Sequence, residues 1–274
     1  MHLLVTAGVT QIAIDKVRAI TSIFTGRTGT RIAIAANRRG HAVTLLTSAP
    51  HLVGEQLSSR SAWQVHTFRS YEELERLLEQ LVPTAGFDAI IHSAAVSDYR
   101  VAGIYVPAPG HATFHGELTP AAPAPPQATP ANSESNPQDH AISCGPTSSA
   151  SGTSWWPTTE VLGKLPSSYP EVWLRLVPTA KLIDRVRRDW GFGGVLVKFK
   201  LESGVAEETL LARAEESRQR SAADLMVANL LESVATTAWL GPVQGQYRRL
   251  SRSQLADALL DAVESLLAQR GRRW

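Results

Sequence analysis

The sequence predicts an α/β fold: a Rossmann-like, mostly parallel sheet with helices on both faces. Three observations predict it. The chain opens on a short apolar run, Leu3-Leu4-Val5-Thr6-Ala7, that ends at Gly8, the pattern of a buried parallel strand reaching a tight turn. Gly26 and Gly29 then bracket the entry to a helical stretch over 32–36, stopped by Arg38-Arg39-Gly40. Beyond that, short apolar runs alternate with helix-period stretches almost to the end of the chain.

Taken in order, Ala42-Val43-Thr44-Leu45-Leu46-Thr47 reads as the next strand and completes a βαβ unit over residues 1–48. Glycines at its turn let backbone N–H groups approach an anion, and the helix N-terminus adds positive potential, so a phosphate cradle is expected at the strand ends. A short strand follows at 64–68. Ser70, with Glu72 and Glu73 in the first turn, starts a helix carrying Leu74, Leu77, Leu78 and Leu81 at helical spacing. Residues 87–95 read as a second buried strand. It ends in Ser93, Ala94 and Ala95, small enough to admit a ligand, with Asp98 just beyond, placed to bond a hydroxyl or amide.

Between 106 and 157 the character changes to Pro, Ala, Ser, Thr and Gly, and no hydrophobic period survives. Such a composition buries too little apolar surface to offset chain entropy, so a long disordered insertion is expected, with Trp155-Trp156 docking its far end. It interrupts one domain spanning 1–274, because the same βα alternation resumes after it. The resumption consists of a half-exposed strand at 171–177 and a helix with Leu182, Ile183 and Val186. A strand at 194–200, a charged helix at 206–220 and a last parallel strand at 223–229 follow. Trp239-Leu240 and residues 246–250 form a small antiparallel edge, and Ser251 caps a final helix with Leu255, Leu259, Leu260, Val263, Leu266 and Leu267 on one face.

Composition narrows the function classes. The 43% hydrophobic fraction is ordinary for a globular protein, and a net charge of +2 gives no reason to invoke nucleic acid or an acidic membrane surface. Arg270, Arg272 and Arg273 read as a solvated basic tail. With Cys144 alone there is no intrachain disulfide, and no apolar run of about 18 residues spans a bilayer, so a cytoplasmic protein is expected. His111, His115, His140 and Cys144 recur at metal-like spacings, but in a structureless segment such sparse matches do not make a zinc site, and no protein-held metal is expected.

Four segments together resemble one family, the phosphopantothenoylcysteine synthetases of coenzyme A biosynthesis, in their monofunctional form. They are V-T-A-G-V-T with I-D-K-V-R-A-I-T-S, D-A-I-I-H-S-A-A-V-S-D-Y, G-K-L-P-S-S with V-P-T-A-K-L-I, and F-K-L-E-S with A-D-L-M-V-A-N, in the family's order. The resemblance implies a ligase. CTP or ATP, with Mg2+, activates the carboxylate of 4′-phosphopantothenate as an acyl-nucleotidylate. Cysteine then displaces the nucleoside monophosphate to form an amide. It also implies a homodimer in which one subunit completes the other's site.

The resemblance assigns residues as well. Lys164 matches the flap lysine that neutralises triphosphate charge. Ala94, Ala95 and Asp98 match the pantothenate-binding segment, and Arg18 the arginine that reaches across the dimer to the substrate phosphate. Gly8, Gly26 and Gly29 would serve the nucleotide, with Phe199 and Asn229 at base and ribose. Two positions depart from the family. Ser22 stands where the family has the Asn that handles the acyl-nucleotidylate, and Phe24 where it has a Ser near phosphate. Two alternatives follow: a weakened homologue acting as a binding protein, and a NAD(P)-dependent reductase. The reductase is disfavoured by the incomplete G-x-G-x-x-G and the missing Tyr-x-x-x-Lys pair.

Overall fold

Strict alternation along the opening strand sends successive side chains into two different cores. Leu3, Val5 and Ala7 enter one hydrophobic cluster and Leu4 the other, which is what a strand buried on both faces requires. The computed structural model describes residues 1–54, 62–107, 155–158 and 163–271. The strands are β1 (His2–Ala7), β2 (Gln11–Ala13), β3 (Ala19–Thr21), β4 (Ala42–Thr47), β5 (Trp63–Thr67), β6 (Ala89–His92) and β7 (Tyr99–Pro107). Then come β8 (Trp155–Thr158), β9 (Trp173–Pro178), β10 (Val195–Glu202), β11 (Leu225–Leu230), β12 (Thr237–Val243) and β13 (Gln246–Ser251). The helices are α1 (Arg27–Arg38), α2 (Tyr71–Leu81), α3 (Leu182–Arg188), α4 (Glu207–Arg220) and α5 (Leu255–Gln269).

The chain divides into two compact units. The first, residues 1–13, 19–100 and 178–274, holds an eight-stranded sheet in the order β13-β12-β11-β10-β6-β1-β4-β5. It is parallel from β11 to β5, and β12 and β13 add the antiparallel edge. Ile32, Ala33 and Ala36 of α1 and Leu255, Leu259 and Val263 of α5 cover one face. Leu74 and Leu78 of α2, with Leu182 and Val186 of α3, cover the other, and Leu210 and Ala214 of α4 pack there on Met226, Ala228 and Trp239. The Rossmann-like α/β expectation is borne out. Ser70 caps α2 as expected: its hydroxyl accepts from the Glu73 N–H, and Glu73 reaches back to close a capping box.

The second unit, residues 14–18 and 101–177, contains a three-stranded sheet in the order β8-β7-β9. β7 and β8 pair antiparallel, with Val106 opposite Trp156 and Pro107 opposite Trp155. Residues 106–107 and 155–157 therefore belong to strands rather than to a structureless insertion. A backbone of varied composition can still pair when a partner strand supplies its hydrogen bonds. The rest of that expected insertion lies outside the described residues, as do His111, His115, His140, Cys144, Arg272 and Arg273.

Two local expectations are corrected. Ser251 does not cap α5. It ends β13, its hydroxyl donates to Gln254 Oε1 (2.8 Å), and the helix starts at Leu255 with no side-chain cap. Arg270 is not a solvated tail: its guanidinium bonds Asp224 and donates to the Gly194 carbonyl (3.2 Å). The packing of α5 along the sheet brings it there. The pairs β2–β3 and β7–β8 are not legible in the sequence, because β2, β3 and β8, at three or four residues, carry too few side chains to show a period.

His92 and Lys198 sit opposite each other on β6 and β10 and are both buried. Burial, and then the Lys198 charge, push the His92 imidazole down to about 4; burial foremost, opposed by Asp184 and aided by the Arg220, Lys181 and Lys200 charges, takes the Lys198 ammonium down to about 8. Lys198 Nζ donates to the Ser217 carbonyl (3.1 Å) and the Ser221 hydroxyl (2.5 Å). Between about pH 6.5 and pH 4 the unfolded chain binds a proton at His92 that the folded protein refuses, so stability falls as pH falls through this window. Denaturant unfolding at pH 7 and pH 4.5 is expected to show a His92→Gln protein losing less stability than the parent, by roughly 2 kcal/mol. Equal losses in the two proteins would refute the assignment.

Candidate functional site

The order of strands places a crevice at the carboxyl ends of β1 and β6, where connections leave the sheet in opposite directions. In open α/β sheets ligands bind there. The crevice is built from the end of β1 outward. Gly8 turns the chain at φ +98°, and Gly26 (φ +81°) stands at the N-cap of α1. The two meet back to back: a Cβ on Gly26 would lie 2.5 Å from the Gly8 nitrogen, and one on Gly8 2.1 Å from Ser48 Oγ. Only glycine fits either position. The Val9 N–H donates to that Ser48 hydroxyl (2.8 Å), and the Ala95 N–H to the Gly8 carbonyl (2.9 Å). The β1 and β6 loops therefore run side by side beyond the sheet.

A cleft of about 220 Å³ opens here. Gly8, Phe24, Thr25, Gly26, Arg27 and Thr28 line one wall, Ser93, Ala94 and Ala95 another, and Phe199, Lys200, Leu201, Asn229, Val234 and Arg252 the far side. No carboxylate lines it. α1 points its N-terminus at this wall with no acidic residue in its first turn and no side-chain cap, leaving its first N–H groups and dipole available to an anion. Asn229 is held firmly: Oδ1 accepts from Arg252 Nη1 (2.7 Å) and Nδ2 donates to the Lys200 carbonyl (3.3 Å). Arg252 Nη2 also donates to the Thr28 hydroxyl (2.6 Å). Burial, and then the nearby Arg31 charge, lower the Arg252 guanidinium from its ordinary value. Larger cavities exist on this unit, including one of about 490 Å³ between α1 and α5 that adjoins the cleft through Thr28 and Arg252, but that one carries none of the residues at the ends of β1 and β6.

The structure thus brings together six of the residues expected from the sequence: Gly8, Gly26, Ala94, Ala95, Phe199 and Asn229. Gly29 has a different position. It is buried one turn into α1, where a Cβ would lie 2.8 Å from the Ala7 Cβ, so its lack of a side chain lets the helix pack on β1. Ser22 is exposed just after β3. Asp98 is exposed and paired with Lys181, while its backbone carbonyl accepts from Thr179 N–H (2.9 Å). Neither lines the cleft. Phe24 does, and it also lines an adjoining cavity with Val9, Ser48 and Arg69.

Arg18 and Lys164 lie in the second unit, on two segments bonded to each other. Asp15, its side chain fully buried, is the centre of this contact. Its carboxylate accepts from Arg18 Nε (2.8 Å) and Nη2 (2.5 Å) and from the backbone N–H groups of Val17 (2.8 Å), Arg18 (2.6 Å) and Leu165 (3.0 Å). The Arg18 guanidinium, with these N–H donors, holds the Asp15 carboxyl well below the usual carboxylate range. Arg18 Nη2 also donates to the Leu165 carbonyl (2.7 Å). The exposed Lys164 is thereby carried on a segment pinned at its next residue. Asp15 escaped the sequence reading, although an Asp three residues before an Arg is a usable signal for a loop pair.

Residues 1–105 match the family described as the DNA/pantothenate metabolism flavoprotein C-terminal domain. Over 274 aligned residues, 97% of this chain, the sequence is 29% identical to the coenzyme A biosynthesis bifunctional protein CoaBC of Thermococcus kodakarensis, covering 51% of that protein. This chain is thus similar to proteins of coenzyme A biosynthesis, with the family match covering its first 105 residues. It spans about half the length of that curated relative. A Mycobacterium tuberculosis CoaBC is 37% identical over 102 residues, 37% of this chain and 23% of that protein.

Two solved structures share this fold. The DNA/pantothenate metabolism flavoprotein of Streptococcus pneumoniae superposes with a TM-score of 0.68 at 22% identity, covering 97% of this chain and 99% of that one. A Cab2 variant in complex with phosphopantothenate-cysteine superposes with a TM-score of 0.61 at 15% identity, covering 99% and 89%. A cleft residue that sequence reasoning missed is Arg252. Its serine-flanked position before α5 read as a helix cap and gave no chemical signal.

The glycine contact can be tested directly. Gly26 and Gly40 both have positive φ, but a Cβ on Gly40 meets nothing within 4 Å. Gly40→Ala is expected to cost about 1 kcal/mol through conformation alone. Gly26→Ala should cost at least about 2 kcal/mol more, since backbone atoms must move. Equal losses in denaturant unfolding would refute the close approach.

Proposed function

We propose that the protein acts in coenzyme A biosynthesis as a phosphopantothenate–cysteine ligase. The observation that carries this reading is the strand-end cleft of the first unit, with a glycine-turned, carboxylate-free wall at the α1 N-terminus, in a chain whose residues 1–105 match the pantothenate metabolism family. The wall suits a nucleoside triphosphate, CTP or ATP: N–H groups of the Gly8 and Gly26 turns and the Thr25 and Thr28 hydroxyls can donate to phosphate oxygens. Phe199 and Asn229 take base and ribose, and Ala94 and Ala95 leave room for the pantothenate chain; Asp98, outside the cleft and paired with Lys181 in this conformation, is assigned to the pantothenate by resemblance alone. The resemblance assigns Lys164 to neutralising triphosphate charge and Arg18 to the phosphate of 4′-phosphopantothenate in the partner subunit of a homodimer.

In the first step a carboxylate oxygen of phosphopantothenate attacks the α-phosphorus and pyrophosphate leaves. In the second the cysteine amine attacks the acyl carbon, the amide forms and the nucleoside monophosphate departs. Lys164 and the turn N–H groups stabilise the charge that develops on the phosphates. Among the described residues no group of three or more His, Cys, Asp or Glu side chains gathers to hold a metal. Mg2+ suits this donor set when it arrives on the triphosphate, keeping its waters, with Thr25 or Thr28 as further oxygen ligands. There it would neutralise phosphate charge.

Phe24 favours a second reading, a catalytically weakened homologue that binds substrates, because an apolar ring occupies the cleft wall where the family has a hydroxyl. Ser22 can supply one hydrogen bond in place of an amide's two groups. A pyrophosphate-release assay with CTP and with ATP, run with and without cysteine, tests the ligase. Release and amide formation are expected with one of the two nucleotides, and the absence of both would overturn the reading. Ser22→Asn with Phe24→Ser is expected to raise turnover by on the order of 10²-fold, and Lys164→Ala to lower it by 10²-fold or more, as for transition-state donors elsewhere. An unchanged rate in the double variant would show that neither departure limits catalysis.

A further inference from the structure

Arg252 is a half-buried cation without a counter-ion. It stands in the turn between β13 and α5, lines the cleft and is kept below its ordinary pKa by burial. Among the described residues no carboxylate pairs with it, nor with Arg27 or Arg31. Three other partly buried arginines of the same unit are paired: Arg39 with Asp257 and Asp261, Arg185 with Glu75, Arg187 with Asp224. A guanidinium that gives up part of its hydration and receives only the neutral oxygens of Asn229 and Thr28 keeps unused N–H donors and an unscreened charge.

Its two bonds also set its neighbours. Because the Thr28 hydroxyl accepts from Arg252, its own proton remains free to donate. Because Asn229 Oδ1 accepts from Arg252, the amide is fixed with Nδ2 on the Lys200 carbonyl. Thr28 and Arg252 are shared by the cleft and the larger cavity that holds Arg31, so the basic wall continues past the cleft mouth.

We propose that Arg252 is the principal phosphoanhydride-binding side chain of this cleft, bonding the polyphosphate of the nucleotide while it orients Thr28 and Asn229. The assignment of that polyphosphate to a nucleotide rests on the ligase reading; the affinity for a polyanion does not. A planar fork of N–H donors matches two phosphate oxygens at once, which a lysine in the same place would not do.

Isothermal titration of the full chain with inorganic pyrophosphate, with CTP and ATP, and with cytidine and adenosine tests this. Arg252→Gln keeps an amide donor for Asn229 and Thr28 but removes the charge. It is expected to weaken pyrophosphate and triphosphate binding at least tenfold and to leave nucleoside binding within twofold. Arg252→Lys should recover part of the loss. A purely structural role would weaken nucleoside and triphosphate alike, and that result would overturn the proposal, as would pyrophosphate affinity unchanged in Arg252→Gln or absent from the parent.

Should the variant fold poorly, phenylglyoxal labelling of the parent protein gives a second reading. Pyrophosphate is expected to slow modification of Arg252, located by peptide mass spectrometry, and an unchanged rate would overturn the proposal. Pyrophosphate binding that depends on Arg252, in a protein that forms no amide, would defeat the ligase reading and leave this one standing.

Discussion

The contact on which the first unit's site depends is between two pieces of backbone. The last turn of β1 and the first residue before α1 approach so closely at Gly8 and Gly26 that a single carbon on either would meet main-chain or Ser48 atoms. This approach is what aims α1 along the edge of the crevice and leaves its first N–H groups facing outward. Gly29, one turn further, extends the same constraint by letting the helix rest on Thr6 and Ala7. Three glycines within one short segment thus do two jobs. Two shape the surface a ligand would meet, and one sets the distance between helix and strand.

From this contact the cleft follows by topology. β1 lies between β4 and β6, and the chain leaves it in one direction toward α1 and β4 and returns on the other side through β6. The hydrogen bonds from Thr10 and Ala95 continue the β1–β6 pairing past the sheet edge, so the small residues 93–95 form a floor rather than a mobile loop. The Thr10 and Ser97 hydroxyls, 2.8 Å apart, and Thr179, which donates to the Ser97 carbonyl (2.7 Å), tie this floor to the segment before α3. A preorganised polar surface of this kind can stabilise developing charge without reorganising at the moment of reaction.

The second unit solves a different problem. Its central feature is a buried carboxylate, Asp15, surrounded by N–H donors from two chain segments 150 residues apart. Such a group is costly to bury unless every lone pair is used, and here five donors use them. The result orders the segment on which Lys164 stands without restraining the lysine itself. Arg18, assigned to substrate phosphate by resemblance, is in this conformation engaged with Asp15 and Leu165.

By itself the sequence determined the class of the first unit and most of its elements. Each long strand announces itself by a run of apolar residues buried on both faces, and each long helix by its 3.6-residue period. It also singled out Gly8, Gly26, Ala94 and Ala95, because glycines and small residues at strand and helix ends are visible as breaks in those patterns, while Phe199 and Asn229 came from the family resemblance. Only the tertiary structure decided the rest. Arg252 joins Asn229 and Thr28 across separations of 23 and 224 residues, and no local pattern encodes a bond made by chain reversal. Asp15 looks like any loop acid until Leu165 arrives to bury it. Gly29 looks like a phosphate-loop glycine until the helix is seen resting on the strand. Periodicity records which face of an element avoids water; it does not record which distant element arrives to cover that face or to share its hydrogen bonds.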